Sequence, residues 1–223
     1  MKKNLPIILI AGAVLIVLFA VMIVARTFKG TSSGTTSQDE VVPELAQSEW
    51  PVVTLTPVSD VNIPNSLGHL LDFKVQKINV ARATSMDYLL VYSTSDGGQQ
   101  GVPGTIKLTG STVDKNLLLG SESSGKFRFD AGVNHGTITI IFRDGNGKSL
   151  GKLSSDFHLQ SGEVSLTSVD GKFIYTLDKI AKGVFFITMP TFAQPDASQY
   201  VAWQNGYGVF ASDALPHSGK LAQ

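Results

Sequence analysis

Two serine–lysine pairs in the chain have the spacing that some acyl-transfer enzymes use around a nucleophilic serine. They are Ser123 with Lys126 and Ser149 with Lys152. In those enzymes Ser-Asp-Asn and Lys-Thr-Gly elements complete the site, and neither element occurs in this chain. Both pairs also fall in turn-like stretches rather than at the start of a helix. We therefore expect no catalytic serine, and we expect that the protein is not an enzyme.

The histidines and carboxylates do not indicate a metal site. The histidines are far apart in the sequence, and cysteine is absent. Residues 144–148 begin like a calcium loop, but Lys148 places a cation where an oxygen ligand is needed, and no glutamate closes the loop. The aspartates are typical of turns, where a short carboxylate side chain caps local backbone groups. We predict no metal and no other cofactor. The residues considered are His69, His135, His158, His217, Asp96, Asp144, Asp170 and Asp213.

Three aromatic residues surround one predicted hairpin and form the candidate ligand or partner surface. Tyr200, Trp203 and Tyr207 lie on both sides of the turn Asn205-Gly206. Aromatic side chains on a sheet can form a platform for a carbohydrate or a protein. In the alternative interpretation, Trp203 faces the core and the two tyrosines cap the edge of the sheet.

Composition excludes some functions. The chain has 223 residues, of which only 16% are charged, with 18 basic and 18 acidic side chains. A nucleic-acid-binding protein should carry a basic patch and a high isoelectric point, so we expect no nucleic-acid partner. The absence of cysteine excludes disulfides and thiol chemistry. The folded part of the chain must therefore be stabilised by its hydrophobic core. The absence of cysteine fits a bacterial or archaeal surface protein.

The N-terminal part of the chain predicts a membrane anchor. Residues 5–25 are apolar and uncharged, and a helix of this length spans about 30 Å, the thickness of the hydrocarbon core of a bilayer. We predict a cytoplasmic tip (1–4), a retained transmembrane signal-anchor helix (5–26) that contacts the lipid bilayer through 5–25, and a flexible Gly/Ser/Thr-rich stalk (27–49). The slight excess of basic groups before the helix favours a cytoplasmic N-terminus. A cleaved signal peptide is the alternative.

The rest of the chain predicts many short strands separated by turns. Residues 136–143 alternate between apolar and polar, and the Asn205-Gly206 turn predicts a hairpin that pairs Trp203 with Gly208. Residues 156–160 and 163–168 would form a second hairpin, and 215–223 would be a frayed tail. The predicted strands are 51–58, 73–81 with a bulge at Lys77, 88–92, 105–108, 117–119, 126–129, 136–143, 156–160, 163–168, 172–177, 184–189 and the two arms of 200–211. This pattern is typical of an antiparallel sandwich or barrel.

Residues 73–143 resemble uncharacterised exported domains of bacteria and archaea with an immunoglobulin-like β-sandwich. The features that carry the resemblance are the alternating strand from Phe73, the apolar run 88–92, the turn at 96–98, the step Val102-Pro103-Gly104 and the apolar strand 138–142. The resemblance covers about a third of the chain. It implies an all-β, antiparallel, immunoglobulin-like ectodomain over residues 50–214, with a subdivision near Gln160 as an alternative. It brings no catalytic residues.

The sequence therefore predicts a non-catalytic, single-pass envelope protein. Its C-terminal domain would lie outside the membrane, extracellular or periplasmic, and contact another envelope protein, a glycan or the cell wall. The alternatives are a structural subunit of a secretion or pilus-like assembly, favoured by a long free edge strand, and an envelope hydrolase. A pocket that gathers two or more of His135, His158, Asp144 and Asp156 would favour the hydrolase.

Overall fold

A computed structural model describes residues 42–222, and in this range the chain consists of antiparallel β-strands with two short 3₁₀ turns. The predicted all-β, antiparallel class is therefore confirmed. The strands are β1 (Val52–Val58), β2 (Leu70–Gln76), β3 (Ser85–Ser93), β4 (Gln99–Lys107), β5 (Val113–Leu118), β6 (Gly120–Ser123), β7 (Lys126–Phe129), β8 (His135–Arg143), β9 (Ser149–Ser161), β10 (Ser165–Thr167), β11 (Ile174–Leu177), β12 (Phe185–Pro190), β13 (Ala202–Gln204), β14 (Tyr207–Ala211) and β15 (Gly219–Leu221); the 3₁₀ turns are Gln47–Glu49 and Ala197–Gln199.

Two sheets enclose the larger of two core clusters. The seven-stranded sheet has the order β13-β14-β12-β9-β8-β3-β4, and the N-terminal sheet has the order β1-β2-β5. Most of the first core cluster consists of apolar side chains that these two sheets direct towards each other, among them Leu55, Phe73, Leu90, Phe142 and Phe157. Alternation along each strand supplies these side chains, because successive residues point to opposite faces. Two layers around one core are consistent with a β-sandwich.

A third, smaller sheet covers part of the opposite face of the seven-stranded sheet. This C-terminal sheet has the order β10-β11-β15. Neighbouring residues of one strand point into different clusters: Ile187 belongs to the first, whereas Phe186 packs with Leu166, Phe173 and Tyr175 in the second core cluster. The strands β12 and β14 are therefore covered on both faces, as their nearly continuous apolar sequences require.

The predicted anchor and most of the stalk lie outside the described residues. Within 42–222, no helix has the length and apolar character needed to cross a bilayer. The body begins before the predicted boundary at residue 50, because Leu45 is buried and its backbone N–H donates to the carbonyl of Lys152 at 2.9 Å. The chain enters beside β9 through a parallel bridge between Glu44 and Lys152.

Three local predictions were wrong for physical reasons. The strand 73–81 ends at Gln76, because Lys77 has a positive φ of 58° that a strand cannot continue through. The hairpin between 156–160 and 163–168 does not form, since β10 pairs with β11 rather than with β9. The tail is not frayed throughout: β15 pairs with β11 and places Leu221 against the second core cluster.

Candidate functional site

Tyr207, one of the predicted surface residues, begins β14 and packs on the C-terminal sheet. The turn at Asn205 and Gly206, with φ of 51° and 84°, sets the register that pairs Gln204 with Tyr207. Tyr207 stacks on Phe173 with 5.8 Å between ring centroids and 16° between ring planes. Phe173 is buried in the second core cluster, so it fixes the plane of the half-buried tyrosine ring.

Asp170 holds the hydroxyl end of this tyrosine. The Tyr207 hydroxyl donates to Asp170 Oδ2 at 2.7 Å, and Asp170 Oδ1 accepts from the Ser168 hydroxyl at 2.7 Å and from the Lys172 N–H at 3.2 Å. Burial alone would raise the pKa of the Asp170 carboxyl, but these hydrogen bonds outweigh it and hold that pKa well below its usual range. Burial, followed by the bond to Asp170 and its negative charge, raises the pKa of Tyr207 to about 12.

A pocket of about 520 Å³ opens beside the stacked rings. Its volume lies within the usual range for small-molecule sites. It combines apolar surface with the exposed amide groups of Gln204 and Asn205 and the cation of Lys172. We call it the tyrosine pocket; it is lined by Gly171, Lys172, Phe173, Ile174, Gln204, Asn205, Tyr207, Leu221 and Ala222.

No protein-family model matches this chain, and no curated protein matches it by sequence. The geometry of the described residues is therefore the basis for the function.

The other two residues of the predicted aromatic surface lie elsewhere. Trp203 is paired with Gly208, the neighbour of Tyr207, so its side chain projects from the opposite face of the hairpin. Its indole N–H donates to Thr191 Oγ1 at 3.0 Å. Tyr200 packs against the first core cluster, and its hydroxyl accepts a bond from Gln194 Nε2 at 3.2 Å. The structure therefore does not bring the three rings together on one platform.

The histidines are only partly brought together. His135 and His158 are opposite each other on β8 and β9. His158 lines a cavity of about 510 Å³ and bonds the Thr167 carbonyl through Nδ1 at 2.8 Å, whereas His135, Asp144 and Asp156 do not line that cavity. Among residues 42–222 there is no group of three or more histidine, aspartate or glutamate side chains arranged to hold a metal.

The serine–lysine pairs lie on strands and not at helix starts. Ser123 is the strand partner of Lys126 in the exposed β6–β7 hairpin. Ser149 accepts a bond from Arg143 Nη1 at 2.9 Å, and Lys152 forms a surface ion pair with Glu44 at 3.4 Å. Neither serine hydroxyl is bonded to the lysine three residues later within the described chain.

Sequence reasoning missed an aspartate–histidine pair. His217 Nε2 lies 2.6 Å from Asp213 Oδ1, and the histidine side chain is only 9% exposed. Both residues line a cavity of about 600 Å³ between β14 and β15. The signal was present in the sequence as the four-residue spacing, but that spacing usually indicates a pair on a helix, and this segment is a loop.

Proposed function

We propose that the protein is a membrane-anchored envelope module that binds a glycan in the tyrosine pocket. The observation that carries this proposal is the stacked pair of Tyr207 and Phe173 beside exposed side-chain amides. The apolar C–H face of a sugar ring packs well on an aromatic ring whose face carries partial negative charge. Gln204 and Asn205 offer both donors and acceptors for sugar hydroxyl groups. Binding at this pocket requires no chemical step.

The fixed position of the tyrosine ring supports a binding role. The ring is fixed from below by Phe173 and at its hydroxyl by Asp170. A ring held in place loses little conformational entropy when a ligand covers it, and this lowers the free-energy cost of binding. Of the residues expected to form the surface, Tyr207 is the one that belongs to this pocket, whereas Tyr200 and Trp203 do not line it.

The proposal includes an immunoglobulin-like topology for the first part of the body. The strand orders β1-β2-β5 and β9-β8-β3-β4 support it, because they correspond to strands A-B-E facing strands G-F-C-C′ of such a sandwich. The residues after β9 would then be a smaller β unit built onto the same seven-stranded sheet. This division lies close to Gln160, the point of subdivision suggested by the sequence.

The anchor and the location outside the cell belong to the proposal because residues 5–25 are apolar and uncharged. We expect the full-length chain to remain in the membrane fraction after an alkaline carbonate wash. Deletion of residues 1–26 should release it into the supernatant. Release of the full-length chain by carbonate would contradict the membrane anchor. It would not bear on glycan binding, which is tested separately.

The glycan proposal is tested by replacing Tyr207 with alanine in the full-length chain. Binding would be measured by calorimetry with N-acetylglucosamine oligosaccharides and by pull-down with purified cell-wall glycan. Loss of one aromatic anchor should weaken binding at least about tenfold. Phe127→Ala is the control, since Phe127 is an aromatic residue on the exposed β6–β7 hairpin and lines neither this pocket nor the cavity that contains Asp213 and His217. The absence of binding by the unmodified chain, or equal losses in both variants, would contradict the proposal.

The second candidate function is a structural subunit of an envelope assembly, and β4 is the observation that favours it. This strand has nine residues and pairs only with β3 among the described strands, so its outer edge could accept a strand from another chain. Pro103 lies in its middle and lacks a backbone N–H. Because proline on an edge strand disfavours pairing with further strands, we rank this candidate below glycan binding.

A further inference from the structure

We infer that the cavity between β14 and β15 is a hydrolytic site in which Asp213 and His217 activate water to cleave a small carboxylic ester. This site is separate from the tyrosine pocket: the tyrosine pocket lies at Tyr207, where β14 begins, and the cavity at Ala211, where β14 ends. The inference departs from the expectation that the chain is not an enzyme, and it does not depend on glycan binding.

Three contacts fix the position of His217. Asp213 Oδ1 binds Nε2 at 2.6 Å, the edge of Phe186 packs at 5.0 Å between ring centroids and 80° between planes, and the Tyr175 hydroxyl donates to the His217 backbone carbonyl at 2.8 Å. An imidazole held in this way cannot rotate freely. Pre-organised side chains of this kind distinguish a built site from an incidental surface contact.

The pair leaves one ring nitrogen available. An ionised carboxylate only accepts hydrogen bonds, so the proton of the neutral imidazole is on Nε2 and the lone pair is on Nδ1. Within residues 42–222, Nδ1 has no hydrogen-bond partner, although the side chain lines the cavity. A carboxylate–imidazole pair with a free ring nitrogen is the arrangement of a general base and the group that orients it.

The hydrolysis needs no reactant other than the ester and water. His217 Nδ1 takes a proton from a water molecule while the water oxygen forms a bond to the acyl carbon of the ester. The bond between the acyl carbon and the alkoxy oxygen then breaks, and the proton on Nδ1 passes to that oxygen. The products are a carboxylic acid and an alcohol.

Other groups in the cavity suit a small polar ester. Lys220, Ser198 and Ser218 line it, and residues of these types can supply a cation and hydrogen-bond donors for the negative charge that develops on the acyl oxygen. Asp178 also lines the cavity, and its charge disfavours an anionic substrate. With about 600 Å³ available, the cavity admits an ester of a single sugar or of a similar alcohol.

The test is hydrolysis of 4-nitrophenyl acetate by the full-length chain in mild detergent. His217→Gln should lower kcat/KM by at least about tenfold, since general-base catalysis contributes roughly 10²–10⁴-fold. Asp213→Asn should also lower it, because the amide no longer fixes the tautomer. His135→Gln is the matched control: His135 is exposed, outside this cavity, and also has one ring nitrogen bonded, to Asn134.

A pH profile separates catalysis from a structural role. A general base acts through its unprotonated form, so the unmodified chain should be more active at neutral than at acidic pH, and His217→Gln should lose this dependence. Circular dichroism establishes that each variant is folded; if His217→Gln is unfolded, Asp213→Asn decides the question. Hydrolysis at an unchanged rate in a folded variant, an equal loss in His135→Gln, or no activity above free imidazole in the unmodified chain would overturn the inference.

Discussion

At the scale of single residues, the contact between Tyr207 and Asp170 couples the C-terminal sheet to the β13–β14 hairpin. The hydroxyl donates to the carboxylate at 2.7 Å, and burial and this bond raise the pKa of Tyr207 to about 12. An unfolded tyrosine ionises near pH 10. This group therefore contributes its full stability below about pH 10 and loses it as the pH rises towards 12, since the unfolded state releases its proton first.

Tyr207→Phe should remove this part of the alkaline destabilisation. The variant keeps the stack on Phe173 and loses the hydrogen bond, so it should be less stable at neutral pH by about 1 kcal/mol or less, as is usual for an exposed bond. The difference from the unmodified chain should shrink between about pH 10 and 12. Urea unfolding at several pH values measures it. Comparing the two chains cancels the contributions of the other tyrosines. A difference in unfolding free energy that does not change with pH would contradict the role assigned to this bond.

His69 is a second residue whose environment sets a pH dependence. Its ring stacks on Phe129 at 4.7 Å between centroids, and its buried Nδ1 has no partner in the described part of the chain. Burial lowers the pKa of His69, opposed by the nearby charge of Asp130. Because the unfolded state then binds the proton more readily, this group's contribution to stability is present above about pH 6.5 and is lost as the pH falls. His69→Phe should flatten the curve of unfolding free energy between about pH 7 and 5. Urea unfolding at several pH values measures this, and an unchanged curve would contradict the role of the buried ring.

At the scale of elements, the sequence predicts a strand correctly where apolar and polar residues alternate without interruption. The prediction fails where the ends of a strand depend on its pairing with distant parts of the chain. Strand β8 and the hairpin with Trp203 opposite Gly208 follow from local pattern and turn chemistry alone. Strand β9 has 13 residues, and only 156–160 were predicted. Its first half includes Gly151, where an added Cβ would lie 2.8 Å from Leu45 Cδ1. That glycine is required by a contact more than a hundred residues away, and a local pattern does not contain such information.

The candidate sites also depend on contacts between distant parts of the chain, which a local sequence pattern does not predict. Tyr207 was predicted because it adjoins an Asn-Gly turn. Phe173 and Asp170 lie in the turn between β10 and β11, and they meet Tyr207 only when the C-terminal sheet packs. The pair Asp213–His217 lies in a loop whose course is set by β15. Strand β15 has three residues, too few to show an alternating pattern.

Gly136 tests the close packing of β8 between its two neighbours. A Cβ added there would lie 2.3 Å from the Val91 carbonyl oxygen and 2.7 Å from Phe157 Cε1. Because a backbone oxygen cannot move away without breaking strand pairs, Gly136→Ala should cost about 1–3 kcal/mol. Gly110→Ala is the control, since nothing lies within 4 Å of its added Cβ. Urea midpoints measure both variants, and equal midpoints would contradict the close packing at Gly136.

At the scale of the whole molecule, the two core clusters share their strands. Phe186 and Ile187 are neighbours in β12 but pack into the second and the first cluster, and Val209 and Phe210 divide in the same way in β14. The described residues, 42–222, belong to one compact unit. A strand cannot leave one cluster and keep its position in the other, so we expect the body to unfold in one cooperative transition.

Leu166→Ala tests this cooperativity from one cluster to the other. Leu166 is fully buried in the second core cluster, and its truncation should cost about 2–5 kcal/mol. The chain has two tryptophans, of which Trp50 packs against the first core cluster, so a Trp203→Phe background makes Trp50 a reporter of that cluster alone. The melting temperature seen by Trp50 should fall by roughly 2–4 °C per kcal/mol lost. Val164→Ala, at a position 36% exposed, should hardly shift it. If Trp50 melts at an unchanged temperature while circular dichroism shows an earlier second transition in Leu166→Ala, the two clusters unfold independently and the subdivision near Gln160 is a true domain boundary.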